Sequence, residues 1–175
     1  MDPKLDLKTV IRSIQDFPQP GVLFRDITPV LENPLAFLAA LEGLRDLVVD
    51  TAFDKIVALE SRGFIFGAPL ALEFGLPLVI LRKPGKLPGE TVSVSYDLEY
   101  GSTTLEAHVD ALADGDRALI VDDLLATGGT AAAAAELVCR LGAEVAAQLF
   151  LVELEDLGGR ARLGDVPVFS LVKYS

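Results

Sequence analysis

Apolar residues along this chain recur in two rhythms, one helical and one extended. Leu7, Val10, Ile11 and Ile14 fall at helical spacing, which predicts a first amphipathic helix. Asp16 to Asn33 carries Pro18, Pro20, Gly21 and Pro29 and reads as a long shaped loop. Pro34 then opens a second helix running to about Val49, with Leu38, Leu41, Leu44 and Val48 expected on one face. Short apolar runs at 55–59, 77–81, 118–121, 145–152 and 168–172 read as buried strands. Between them, 63–74 and 130–141 read as helices closed by Gly75 and Gly142. Val92 to Tyr96 and Ser102 to His108 alternate like two strands of a hairpin turning around Tyr100-Gly101, and Arg82 to Glu90 is irregular. Strands alternating with helices predict an α/β fold, a mainly parallel central sheet flanked by helices. Ligands of such sheets bind beyond the carboxyl ends of the strands.

Length and composition narrow the class. A chain of 175 residues, 51% hydrophobic and 23% charged, suits one globular domain. Its net charge of −11 disfavours a nucleic-acid partner. The single cysteine, Cys139, excludes an intrachain disulfide and is expected to pack in the core. The opening MDPKLDLKTV lacks the apolar core of a signal peptide. No segment approaches the roughly 18 uninterrupted apolar residues of a membrane span. These features fit a cytoplasmic protein.

The segment ALIVDDLLATGGT (118–130) concentrates the chemistry. Thr127-Gly128-Gly129-Thr130 lies between a strand and a helix. Two glycines let successive N–H groups converge on one point, and the helix start adds its unpaired donors and positive dipole end. The turn reads either as a phosphate cradle or as an ordinary strand-to-helix turn capped by Thr130. Asp122 and Asp123, at the strand's end, can accept hydrogen bonds from a sugar diol or hold hydrated magnesium; the alternative is a solvated strand end. Neither GxxxxGK[ST] nor GxGxxG is present.

This segment resembles the phosphoribosyl-diphosphate (PRPP) binding motif of the type I phosphoribosyltransferases. FPQPGVLFRDITPVL (17–31), ESRGFIFG (60–67), LRKPGKLPGETVSVSYDLEYG (81–101) and LVELEDLGGR (151–160) extend the resemblance, in order, to the adenine phosphoribosyltransferase family. It implies transfer of the 5-phosphoribosyl group from PRPP to adenine, giving AMP and diphosphate. It also implies the type I fold in a single domain over 1–175, with an N-terminal base-binding hood (1–33) and a flexible hairpin lid (82–101).

The resemblance distributes roles. Ala126, Thr127, Gly128, Gly129 and Thr130 would hold the 5′-phosphate, and Asp122 and Asp123 the ribose hydroxyls. Glu60, Ser61, Arg62 and Gly63 would form the diphosphate loop, with a cis peptide between Glu60 and Ser61. Arg82, Lys83 and Lys86 make a basic, Pro/Gly-punctuated stretch that suits a lid neutralising the leaving group, or else a solvated basic loop. Glu99 is the candidate proton-transfer partner, although a hairpin-turn carboxylate is the competing reading; Tyr100 and Arg62 would assist catalysis. Leu23, Phe24, Arg25 and Leu154 would bind adenine, a backbone pair at Leu23 matching its ring nitrogen and amino group. Without the resemblance, Phe24 reads as an ordinary core aromatic. Magnesium would be held mainly by PRPP and water, with no direct protein ligand. The resemblance further implies a homodimer and small-molecule partners, with no nucleic acid and no membrane. His108 and Cys139 receive no role, and Glu155 and Asp156 read as a solvated loop. Another purine or pyrimidine phosphoribosyltransferase would share the 122–130 site but change the base pocket. A PRPP-binding regulator that contacts nucleic acid is disfavoured by the acidic surface.

Overall fold

The computed structural model describes residues 5–97 and 102–175. Helix α1 (Leu7–Val10) leads into the strands β1 (Arg12–Gln15) and β2 (Leu23–Asp26), which pair antiparallel, Ile14 opposite Phe24. This corrects the expected helix through Ile14 and the expected loop from 16 to 33. Residues 12–15 gain a full set of ladder partners from 23–26, and this long-range pairing outweighs a four-point helical pattern. The short helix α2 (Thr28–Glu32) also lies inside the stretch read as loop.

Asn33 begins α3 (Pro34–Val48) by accepting hydrogen bonds from the N–H groups of Leu35 and Ala36 at 3.0 and 3.3 Å. Its buried stripe is Ala36, Ala40, Leu44 and Val48, and Leu38 is 52% exposed. Of the expected face, Leu44 and Val48 are buried and Leu41 packs part-buried against the core, whereas Leu38 gives way to the small Ala36 and Ala40.

The sheet is built from β3 (Lys55–Leu59), β4 (Leu78–Leu81), β7 (Arg117–Leu125), β8 (Glu144–Leu154) and β9 (Val168–Tyr174), preceded in the chain by the hairpin β5 (Thr91–Asp97) and β6 (Ser102–His108). All five sheet strands are parallel, in the order β4-β3-β7-β8-β9. Helix α4 (Gly63–Phe74) connects β3 to β4, and α5 (Gly129–Arg140) connects β7 to β8. Side chains alternate across the sheet. Ile56, Leu119 and Val121 face α3 and α4, whereas Val57, Leu59 and Ile120 pack with α5 and the hairpin. Cys139 is exposed on α5, not in the core as expected, because Ala134, Leu137 and Val138 supply the face that meets the sheet. The chain leaves β3 in one direction to form β4 and resumes on its other side with β7. The fork between β3 and β7 is therefore a topological switch point, where the carboxyl ends leave a crevice.

Candidate active site

Two segments meet at that fork. The 60–63 loop carries a cis peptide between Glu60 and Ser61, as expected. Gly63 starts α4 against β7; a Cβ there would lie 2.7 Å from the Val121 carbonyl oxygen and 3.0 Å from Asp122 Oδ1. Only glycine permits this approach. Arg62 Nε donates to Asp123 Oδ2 at 2.5 Å. Glu60 faces the basic stretch after β4: its carboxylate accepts from Lys83 N–H at 2.7 Å and from Arg82 Nε at 3.2 Å. The Lys83 N–H, and then the Arg82 guanidinium, hold the Glu60 carboxyl below its ordinary range. Glu60 thus orients cations; a carboxylate would repel a diphosphate.

Asp122 and Asp123 lie within β7, which runs on to Leu125, beyond the strand end expected at Val121. Consecutive strand residues point to opposite faces, so the two carboxyls differ. Asp123 is buried and paired with Arg62. Asp122 is part-buried, and its Oδ1 accepts the Asp123 N–H at 2.8 Å. Burial, and secondarily the neighbouring Asp123 charge, push the Asp122 carboxyl well above the usual carboxylate range.

The turn after β7 has the cradle geometry. Gly128 adopts the left-handed region with φ 81°, and α5 begins at Gly129 without a side-chain cap. Its leading N–H groups and dipole end therefore face the crevice. The Thr130 hydroxyl accepts from the Tyr96 hydroxyl at 3.1 Å.

These parts enclose a cavity of about 410 Å³. Glu60, Ser61, Arg62 and Lys83 line one side, Asp122, Asp123 and residues 126–130 the other. Gly63, Arg82 and Lys86 stand outside the lining, Arg82 turned onto Glu60. Tyr96, Thr103 and Leu105 of the hairpin close the cavity. Sequence reasoning missed them, although the alternation Val92, Val94, Tyr96 could have marked one inward face of β5. It also missed Gly159, against which Gly128 packs. Glu99 and Tyr100 lie outside the described residues.

A second cavity, also about 410 Å³, opens beneath the β1–β2 hairpin. Ile14, Phe17, Phe24, Arg25 and Leu31 line it, together with Arg62. Phe17 and Phe24 meet edge to face, centroids 5.1 Å apart. The Arg25 guanidinium sits 3.8 Å over the Tyr174 ring and hydrogen-bonds the Ser13 hydroxyl. Leu23 is 42% exposed and Leu154 is part-buried at the end of β8; neither lines this cavity. Arg62 belongs to the walls of both chambers.

Known proteins share this arrangement. Residues 23–169 match the phosphoribosyl transferase domain family. The adenine phosphoribosyltransferase of Carboxydothermus hydrogenoformans is 58% identical over 97% of this chain and 100% of its own length. The crystal structure of adenine phosphoribosyltransferase from Thermoanaerobacter pseudethanolicus superposes with a TM-score of 0.93 at 51% identity, covering 95% of this chain and 97% of that one. The Saccharomyces cerevisiae enzyme, solved with an imino-altritol bisphosphate and adenine, superposes at 0.88 with 43% identity, covering 94% and 96%. With a mixed carboxylate and N–H crevice at its switch point and an aromatic chamber alongside, the chain belongs to the phosphoribosyl transferase family, among the adenine phosphoribosyltransferases.

Proposed function

We propose that this chain transfers the 5-phosphoribosyl group of PRPP to adenine, releasing diphosphate and AMP, with the two chambers dividing the substrates. The observation that carries the reading is Arg62, the wall common to the polar crevice and the aromatic chamber. A sugar whose anomeric carbon reaches that wall has its phosphate on one side and a purine on the other. The N–H groups of 126–130 receive the 5′-phosphate, and Asp122 and Asp123 the ribose hydroxyls. Ser61, Arg62, Gly63 and Lys83 take the diphosphate, with Arg82 and Lys86 supplying further positive charge from the same stretch.

The C1–O bond to diphosphate breaks as the C1–N9 bond to adenine forms, and the ring passes through an oxocarbenium-like state. The two aspartates oppose that positive charge, and the cations oppose the charge growing on the leaving group. The proton lost from the purine goes to Glu99, the candidate base. Phe24 covers one face of the ring beside Arg25, and Leu23 and Leu154, which stand outside the chamber's lining, are assigned to the base on the family resemblance. The hairpin β5–β6 with the basic stretch before it forms the lid that excludes water.

Among the described residues no group of three or more His, Cys, Asp or Glu side chains is placed to hold a metal. Among the described residues of the crevice, Glu60 and Asp123 are ion-paired with Arg82 and Arg62 and Asp122 makes no salt bridge, so the protein would offer magnesium at most one carboxylate while PRPP and water supply most of its ligands. That donor set suits magnesium, which usually keeps several waters and one or two carboxylates beside substrate phosphates. When bound, magnesium would neutralise charge on the diphosphate as it leaves.

No helix among the described residues is long and apolar enough to cross a membrane; a reducing cytoplasm is the proposed compartment. A homodimer is proposed from the family, and Leu35, Leu38 and Leu72 are 72%, 52% and 84% exposed, apolar surface suited to self-association. The deciding assay incubates the chain with PRPP, magnesium and adenine, hypoxanthine, guanine or orotate in turn. AMP formation from adenine alone is expected, with strong losses in Asp123→Asn and Arg62→Ala. A 6-oxopurine or pyrimidine turning over faster than adenine would overturn the base assignment, and full activity in both variants would overturn the residue roles.

A further inference from the structure

The segment after β8 lies outside the machinery assigned above, yet it touches the phosphate turn directly. A Cβ on Gly128 would stand 2.4 Å from the Gly159 carbonyl oxygen. Reciprocally, a Cβ on Gly159 would stand 2.2 Å from the Ala126 carbonyl oxygen and 2.9 Å from the Gly128 nitrogen. The two turns therefore interlock backbone on backbone, with no room for a side chain between them.

One guanidinium holds the second turn in place. Arg160 donates from Nε to Glu153 Oε1 at 3.0 Å and from Nη2 to Oε2 at 2.5 Å. Its Nη1 donates to the Val168 carbonyl oxygen at 2.6 Å. Glu153, in β8, has a side chain only 5% exposed; Arg160 at 2.5 Å is its nearest cation, with Lys173 further off at 3.9 Å. Arg160 thereby ties the end of β8, the turn 159–163 and the start of β9 to one point. The planar fork of arginine can make these three bonds together; the single ammonium of lysine cannot.

We propose that Glu153, Gly159 and Arg160 are positioning residues for the 5′-phosphate: they brace the 159–163 turn against residues 126–128 and so fix the convergence of the N–H groups that receive the phosphate. The proposal rests on the assignment of 126–130 to that phosphate. None of the three residues lines the crevice itself. Gly159 meets Ala126 and Gly128 directly, and Glu153 and Arg160 act on them through the turn they hold, so their loss weakens recognition of the phosphate end.

The test compares AMP with adenosine, which shares base and ribose but lacks the phosphate. Titrations of Arg160→Met and Gly159→Ala are expected to show AMP affinity reduced about tenfold or more, as for donors displaced by a fraction of an ångström, with adenosine affinity unchanged. Arg160→Lys, which keeps a cation beside Glu153 but loses the fork, is expected to fall between these variants and the parent. It carries the same comparison if Arg160→Met does not fold. Parental AMP affinity in Gly159→Ala and the arginine variants overturns the proposal, and so does an equal loss of AMP and adenosine, which marks general loosening. Thr127→Val, inside the turn, separates the two layers of the argument. If it lowers AMP affinity while the bracing variants do not, the positioning role alone is wrong. If it leaves the ratio of AMP to adenosine affinity unchanged, the phosphate assignment fails as well.

Discussion

Asp122 and Asp123 are adjacent in the chain but occupy different environments, and the difference predicts different responses to substitution and pH. Asp123 is buried and ion-paired with Arg62. Asp122 is pushed well above the usual carboxylate value of 3.8 by burial and by Asp123. A carboxyl whose pKa rises on folding binds more protons in the folded than in the unfolded chain, so stability falls as pH climbs above 3.8 towards the folded value. Asp122→Asn retains an oxygen for the Asp123 N–H and removes the ionisable group. At neutral pH it is expected to raise the melting temperature while cutting AMP formation on the order of a hundredfold. The gain in melting temperature shrinks as pH falls from the folded value and is gone by about pH 4; thermal melts across pH, paired with turnover, measure both. An unchanged or lowered melting temperature at pH 7 would contradict the assigned environment. The carboxylate pair and the glycine turn were legible because the residue types themselves state the chemistry. The division of labour was not, because the alternation of β7 and the approach of Arg62 decide it. Tyr96 was missed for the same reason: nothing local says that β5 will lay it on Thr130.

At the scale of elements, the hood shows where local pattern gives way. Positions 7, 10, 11 and 14 suggested one helix, but the chain stops it at Val10 and turns the rest into β1. Asp26 secures that hairpin. Its carboxylate accepts the Thr28 N–H at 2.9 Å and Arg12 Nη2 at 2.5 Å. Bonding to Thr28 and then to Arg12 lowers the Asp26 pKa from 3.8 to about 2. A depressed carboxyl contributes stability above its unfolded pKa and loses it as pH falls through the folded one. The contribution is therefore whole above about pH 4 and fades towards pH 2. Asp26→Asn is expected to lower the melting temperature at pH 7 and to converge on the parent in acid. A gap that persists undiminished at pH 2 would assign the loss to packing instead. By contrast, the helices closed by Gly75 and Gly142 and the five apolar strands were readable from the sequence, because each rests on a local stop signal or a continuous buried run.

For the molecule as a whole, the parallel sheet sets the crevice where the chain reverses direction, and the two ends of the chain meet beside it. Tyr174, paired opposite Leu154 in β9, lies under the Arg25 guanidinium of β2. Cation–π contacts of this kind are worth about 0.5–2 kcal/mol. The Tyr174 hydroxyl is buried and has no hydrogen-bond partner among the described residues, so it is the ring that matters. Tyr174→Ala is expected to raise KM for adenine several-fold and leave KM for PRPP unchanged, whereas Tyr174→Phe behaves as the parent. Steady-state kinetics with each substrate varied in turn measure this, and a rise in the PRPP term instead would refute it. No sequence pattern announces such a contact, since its partners stand at opposite ends of the chain.

The shared Arg62 wall has a practical corollary. Two compartments that share the Arg62 wall can be bridged by one compact molecule, in which a flat heterocycle is joined by a short tether to a phosphate. Once either end is seated, the other finds its compartment at an effective concentration in the millimolar range or above. Ligands built on that plan would bind far more tightly than their halves, and the length of the tether giving the greatest gain would report the span between the two compartments.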